Sequence, residues 1–187
     1  MDSMTKTPKN GQRQTTIRHL CMVHFAYIFA FAASIVAYHA GNLIPTDAIM
    51  RRWTAVAAML IITTVIWYYA RTQKVGTTGF RTLVYCLAAM DIVFAGYLVY
   101  VERGMASLGV ALFAIPLAVI ATLASRAALW ATASLCITVY SYAAIRYFID
   151  FFNEGYKLQL YATIGFYGAF FFVLAGILAI VSRADEH

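Results

Sequence analysis

A single carboxylate, Asp91, lies near the middle of the apolar segment 82–101. A segment of about 20 residues is what a helix needs to cross the hydrocarbon core of a bilayer. A carboxylate at that depth costs about 2.5–3.5 kcal/mol on insertion scales and is a candidate for function. We therefore expect Asp91 to contact a ligand or to exchange a proton. The alternative is a structural role, in which Asp91 joins helices by hydrogen bonding to a hydroxyl group.

Hydroxyl groups are the expected partners of Asp91. Counting inward from the ends of the apolar segments places Thr63, Thr138 and Tyr167 at the depth of Asp91. No basic residue is expected at that depth, so nothing there would stabilise a charged carboxylate. The sequence therefore predicts a central polar pocket in which Asp91 rests in its neutral, protonated form.

Arg146 and Tyr142 lie near the end of the fifth apolar segment, where a side chain can extend toward the membrane surface. One interpretation places them at the outer mouth of the pocket, in contact with an anionic ligand. The other, which we favour for Arg146, is an interfacial arginine that extends into water or reaches Glu102 or Glu154. The complete set of predicted ligand-binding residues is Asp91, Thr63, Thr138, Tyr167, Tyr142 and Arg146.

Composition identifies the class of protein that carries these residues. Of 187 residues, 63% are hydrophobic and 12% are charged, whereas a soluble domain has roughly 25% charged residues. We predict an all-α polytopic membrane protein, a bundle of six transmembrane helices with short loops. The predicted spans are 19–40, 53–70, 82–101, 105–124, 127–149 and 158–182.

Basic residues predict the orientation. With a cytoplasmic N-terminus, nine basic residues fall inside (Lys6, Lys9, Arg13, Arg18, Arg71, Lys74, Arg81, Arg126, Arg183) and five outside (Arg51, Arg52, Arg103, Arg146, Lys157). This bias favours cytoplasmic N- and C-termini, in a bacterial inner membrane. We expect a mobile cytoplasmic tail at 1–18, a membrane domain at 19–183 and a cytoplasmic exit at 184–187. Topology and anionic lipid account for the net charge of +6, so no nucleic-acid partner is expected.

Enzyme and cofactor motifs are missing from the sequence. It contains no H-E-x-x-H, no G-x-S-x-G and no phosphate-binding loop. His24 and His39 lie on one segment near opposite membrane faces, which does not suit a bis-imidazole haem. We therefore predict a non-enzymatic protein without metal or cofactor.

Small residues and one proline suggest how the helices pack. Alanines recur four residues apart at Ala26/Ala30 and Ala33/Ala37, and the sixth span carries Gly165, Gly168, Ala169 and Gly176. Such spacing lets helices approach closely; a homodimer through the sixth helix is the more specific hypothesis. Pro116, in the middle of the fourth span, predicts a kink.

A proline in the fourth span, a small-residue turn with one arginine and an alanine-rich fifth span occur in residues 115–137, IPLAVIATLASRAALWATASLCI. In this stretch and in its six short-looped spans, the chain resembles the N-terminal membrane modules of bacterial sensor histidine kinases and nucleotide cyclases. The resemblance implies ligand sensing, dimerisation and signal output through the sixth helix to a cytoplasmic domain or partner. It assigns no site residue.

Two other functions are consistent with the sequence. The substrate-binding subunits of vitamin importers are similar in size and span number and in the alanine spacing of the first span, which in that family contacts a partner transporter. A structural or assembly protein without a ligand is the second alternative. The importer alternative predicts a tightly bound small molecule, and the assembly alternative predicts no need for Asp91.

Overall fold

The computed structural model describes residues 10–102, 104, 107–151 and 157–184. These residues form an all-helical protein, as predicted. Six α-helices are present in them, and a 3-10 helix, Leu108–Phe113, precedes the fourth; the α-helices are α1 Asn10–Ala40, α2 Thr46–Thr72, α3 Thr77–Val101, α4 Ala114–Ala121, α5 Arg126–Phe151 and α6 Lys157–Ala184. All except α4 are long and apolar enough to cross a membrane, so the helices have the length and composition of a multi-pass membrane protein.

The chain divides into two compact units, Met1–Leu83 (unit 1) and Val84–His187 (unit 2). In unit 1, α1 and α2 pack against each other as an antiparallel hairpin. Their buried residues recur at alternating intervals of three and four, which is the spacing of a coiled-coil seam. The seam comprises Ile17, Cys21, His24, Ile28 and Ile35 on α1, and Ile49, Arg52, Val56, Met59, Thr63, Ile66 and Ala70 on α2.

Helix α1 begins at Asn10, before the predicted first span at residue 19. The expectation of a mobile tail is therefore wrong for residues 10–18, which are helical; residues 1–9 lie outside the described part of the chain. The physical reason is visible in the seam, because Ile17 is fully buried one turn before Cys21. A helix that already packs through Ile17 gains stability by extending toward the N-terminus, since each further residue adds a backbone hydrogen bond.

In unit 2, α4, α5 and α6 pack on one another, and the 3-10 helix packs on α4. Two glycines allow α3 to approach these elements closely. A Cβ atom at Gly96 would lie 2.5 Å from Val139 Cγ1 on α5, and one at Gly109 would lie 2.9 Å from Leu98 Cβ on α3. Unit 2 is therefore built on contacts that no larger side chain can make without displacing a neighbour.

The fourth predicted span, 105–124, is not one continuous α-helix. The six-residue 3-10 helix and the eight-residue α4 extend for about 12 Å each, or about 24 Å together, which is less than the ~30 Å of a hydrocarbon core. Pro116 lies in the first turn of α4, where a helix needs no amide donor from it. It therefore helps to begin α4, and the prediction that it kinks a longer helix is wrong.

Left-handed backbone conformations shape the turns on either side of this segment. Gly104 has φ +59°, and a Cβ atom there would lie 2.5 Å from Tyr147 Cδ1, so the position requires glycine. Ala124, between α4 and α5, has φ +48° and carries the cost of that conformation with a side chain. These turns bring α3, the 3-10 helix, α4 and α5 together within unit 2.

Candidate functional site

Asp91 lies on α3 with only 2% of its surface exposed. One turn to either side, the small residues Ala88 and Ala95 are also buried, which allows neighbouring helices to approach the carboxylate. Burial covers 56% of the apolar window of α3, more than for any other of the five long helices. Asp91 has the highest cost of membrane insertion among the predicted pocket residues. It therefore lies on the long helix whose apolar window is most buried by protein.

Two polar side chains of α5 belong to the buried part of unit 2 together with Asp91. Cys136 and Tyr140 are fully buried and lie one turn apart on the same face. The Cys136 thiol donates weakly to the carbonyl of Phe113, with Sγ and O separated by 3.9 Å. Asp91 and Cys136 are within electrostatic range of each other. Polar atoms from α3, α5 and the end of the 3-10 helix thus converge.

The Phe113 carbonyl is available to the thiol because of the local sequence. Phe113 ends the 3-10 helix, where the donor to its carbonyl would be the amide of the residue three positions later. That residue is Pro116, which has no N–H group. Pro116 therefore cannot donate to the Phe113 carbonyl, which leaves that oxygen more accessible to the Cys136 thiol.

Tyr140 carries the most unusual polar atom of this region. Its hydroxyl is buried and has no hydrogen-bond partner within the described part of the chain. Its ring makes edge contacts with Phe113, Tyr167 and Phe171, at centroid distances of 6.2, 5.4 and 6.3 Å. A buried hydroxyl left without a partner costs about 1–3 kcal/mol, so this position favours any small molecule that supplies one.

We call these five residues the core cluster: Asp91, Phe113, Cys136, Tyr140 and Tyr167. The cluster combines a carboxylate, a thiol, two phenols and aromatic walls, which suits hydrogen bonding to a small, partly apolar molecule. Among the residues that the structure describes, no three or more His, Cys, Asp and Glu side chains form a group that could hold a metal ion.

Of the hydroxyl residues predicted around Asp91, Tyr167 belongs to the cluster and Thr138 does not. Thr138 is exposed, and its hydroxyl donates to the Ser134 carbonyl of its own helix at 2.9 Å. It follows Cys136 by two positions, which is about 200° around a helix. Thr138 therefore does not lie on the buried face of α5. Its predicted place in a central pocket is wrong for this structure.

Thr63 is fully buried in the α1–α2 seam of unit 1. The pairing of Gln14 with Gln73 at one end of the hairpin, and of Tyr38 with Arg52 at the other, defines the register of the two helices. In that register Thr63 lies at the level of His24. Its burial thus has an explanation inside unit 1, and its approach to Asp91 stays a prediction.

Tyr142 and Arg146 lie on the surface, with exposures of 71% for Tyr142 and 54% for the Arg146 side chain. Arg146 Nε lies 3.1 Å from Asp150 Oδ2, an ion pair between residues one helical turn apart. Tyr100 of α3 donates to the same oxygen at 2.9 Å. Arg146 thus has a carboxylate partner in Asp150. Its expected approach to Glu102 stays a prediction, and Glu154 lies outside the described residues.

Cys136 and Tyr140 were not predicted as site residues, although the sequence contains the signal for them. The buried residues of α5 recur at intervals of one, three and four, which defines one helical face. They are Ala128, Leu129, Thr132, Ala133, Cys136, Tyr140, Ala143, Ala144 and Phe148. Most are small, so neighbouring helices can approach this face closely.

A scan of the chain against protein-family models, a search of curated proteins and a search of solved structures each found no match.

Proposed function

We propose that this chain is a non-enzymatic, integral membrane module that binds a small molecule at the core cluster and transmits the bound state through α6. The observation that supports the proposal is the buried Tyr140 hydroxyl, which has no partner among the described residues. A ligand that accepts or donates one hydrogen bond there removes a cost that the unliganded protein carries. The proposed cellular location is the bacterial inner membrane, with both termini in the cytoplasm.

Contacts between the cluster and α6 support the transmission step. Tyr140 on α5 faces Tyr167 and Phe171 on α6, so a ligand at its hydroxyl would lie close to both helices. Gly168 packs on Ile137, with 3.8 Å between the side chain and a Cβ atom placed at the glycine. A ligand shifts such a helix only if it binds the two helix arrangements with different affinities. The proposed recipient is an output domain or a second copy of the chain that contacts α6.

Native mass spectrometry of the protein in a mild detergent tests the binding step. We expect the wild-type protein to retain a small molecule and Tyr140→Phe to lose most of it, because the variant keeps the ring but not the hydroxyl. Tyr142→Phe is the matched control, since it makes the same change on the exposed face of α5. Asp91→Asn keeps the shape of the carboxyl group, and we expect it to fold normally but to bind more weakly or with a different pH dependence.

Two results would contradict the binding proposal. One is a wild-type protein that carries no retained molecule in native spectra. The other is equal retention by Tyr140→Phe and Tyr142→Phe. Either result would favour the assembly protein without a ligand.

Trp130 offers a direct test of the transmission step. It lies between α5 and α6, where its ring is 5.7 Å from that of Phe172. The sequence holds three tryptophans, so replacing Trp53 and Trp67 by Phe leaves Trp130 as the only indole. We expect the molecule identified by mass spectrometry to change Trp130 emission in this variant when it is added back. Unchanged emission at saturating ligand would show that α6 does not respond.

One observation favours a second candidate, a substrate-binding subunit of a small-molecule importer. The four alanines of α1 that are spaced by four lie on its exposed side, opposite the seam with α2: Ala26, Ala30, Ala33 and Ala37. A smooth exposed face of this kind suits close packing by a partner helix. This candidate predicts that Ala30→Leu abolishes co-purification of a membrane partner and leaves ligand retention intact, whereas the sensor proposal predicts that neither changes.

A further inference from the structure

One end of unit 1 collects basic side chains from both of its helices. The antiparallel hairpin brings Arg18 of α1 beside Arg71 in the last turn of α2. Lys74 lies three residues after Arg71, just beyond the end of α2. Arg71 and Lys74 are exposed and Arg18 is half-buried. We call these three residues the basic corner.

Hydrogen bonds hold the corner together. Gln14 donates to the Gln73 carbonyl, and one turn later Arg18 Nη2 lies 3.5 Å from the Arg71 carbonyl. Both acceptors belong to the C-terminal end of α2, where carbonyl groups lack helical donors. The Nε atom of Arg18 is buried and makes no hydrogen bond to any described residue. Arg18 is therefore directed toward the C-terminal end of α2.

Within residues 10–83, the sequence supplies no counter-charge at this end of the unit. Between residues 10 and 83 the only acidic residue is Asp47, which lies in the first turn of α2 at the opposite end of the hairpin. The positive charge of the basic corner is thus not balanced by a carboxylate of the described part of unit 1. An anion from outside the chain would be attracted to it.

Aromatic side chains of the kind enriched at membrane interfaces flank the corner. The Arg71 guanidinium lies 5.3 Å from the centroid of the Trp67 ring. Tyr68 and Tyr69, which follow Trp67, are exposed. Tryptophan and tyrosine are enriched where hydrocarbon meets headgroups, and clustered basic residues at the ends of membrane helices bind anionic lipids.

We propose that the basic corner binds the phosphate group of an anionic phospholipid. Arg18 and Arg71 provide donors from two helices, and Lys74 adds charge at the rim. Trp67 and the neighbouring tyrosines contact the upper part of the acyl chains. The site is independent of the core cluster and of any ligand bound there.

Lipid titrations of the purified, detergent-solubilised protein test the proposal, with bound lipids counted by native mass spectrometry. We expect phosphatidylglycerol to bind more tightly than phosphatidylcholine, and the difference to shrink as salt is added. Arg71→Gln should weaken phosphatidylglycerol binding about fivefold, as expected for one charge near the membrane surface. Arg51→Gln is the matched control, because it removes an exposed arginine from the other end of the same helix.

Lys74→Gln is a second test outside the helix, and it should weaken binding by a similar factor if Arg71→Gln does not fold. Glycerol phosphate, titrated in the same way, distinguishes a lipid site from a site for free phosphate; we expect it not to compete at equal concentration. Equal affinity for the two lipids would overturn the proposal. So would equal losses in Arg71→Gln and Arg51→Gln, or full competition by glycerol phosphate.

Discussion

In soluble proteins the more hydrophobic of two helices is usually the more buried one. Helices α3 and α6 show the reverse. Helix α6 has the most apolar window of the five long helices, yet only 22% of that window is buried. Helix α3 carries Asp91 and is less apolar, and 56% of its window is buried. The more hydrophobic helix is thus the more exposed one.

The contrast follows from the solvent that a membrane protein meets. Lipid tails are as apolar as leucine, so hydrophobicity does not separate the inside of a helical bundle from its surface. In a membrane, the protein must enclose its polar side chains. Small residues nearby allow other helices to pack closely around them. Helix α3 has both, in Asp91 and Gly96, while α6 directs Phe166, Val173 and Ile180 outward. Hydropathy therefore identifies the helices, whereas polar and small residues identify the faces that lie inside the bundle.

A carboxylate placed on the outer face of α6 is the strongest test of this contrast. Val173 is exposed, and Val173→Asp should cost about 2.5–3.5 kcal/mol on insertion if that face meets lipid. The measurement is the fraction of chains inserted in the membrane, with Val173→Leu as the apolar control. Normal insertion of Val173→Asp would show that water or a polar partner covers this face.

Matched glycine substitutions test whether close packing is specific to α3. Gly96→Leu would force atoms into Val139 and should destabilise the protein by about 1–3 kcal/mol. Gly165→Leu on α6 meets nothing within 4 Å and should be neutral or stabilising. Thermal midpoints in detergent measure both. Equal thermal midpoints for the two variants would contradict the claim that α3 is more closely packed than α6.

The hydrogen bond from Tyr100 to Asp150 gives a smaller effect at the end of α3. Tyr100→Phe removes the donor, and we expect a loss of about 0.5–1.5 kcal/mol because Asp150 keeps its ion pair with Arg146. Tyr85→Phe, at the exposed beginning of α3, is the control and should change little. A stability loss in Tyr85→Phe as large as that in Tyr100→Phe would contradict this assignment.

The smallest expected effect concerns the core cluster. Tyr140→Phe should leave the thermal midpoint unchanged or slightly raised, because the hydroxyl it removes has no described partner. A marked loss of stability in the purified, ligand-free protein would mean that the hydroxyl does bind another group. That result would weaken the argument for a ligand at this position.

Much of the fold follows from the sequence, because long apolar segments with short polar connections leave few alternatives to helices. The helical class was predicted correctly. The fourth segment was not, since hydropathy does not distinguish a 3-10 helix from an α-helix. Gly104, Gly109 and Pro116 were the local signals that the segment would not form one long helix.

The candidate site was predicted only in part, for a geometric reason. Depth along a helix can be counted from its ends, but the face that a residue occupies depends on the angle around the axis. The depth count points to Thr138, which lies on an exposed face of α5, while Cys136 and Tyr140 lie on its buried face. The three- and four-residue spacing of small residues on α5 indicates the face on which both lie.

The short fourth segment has a consequence for the membrane around it. Its helices reach about 24 Å, roughly 6 Å less than an average hydrocarbon core. Exposed Ala111 and Ala118 show that part of this segment is not covered by described neighbours. If this segment crosses a bilayer, lipids beside it must compress to match, at a modest cost for each ångström of mismatch. In that case we expect the protein to partition toward thinner bilayers, with lipid chain length influencing where it resides.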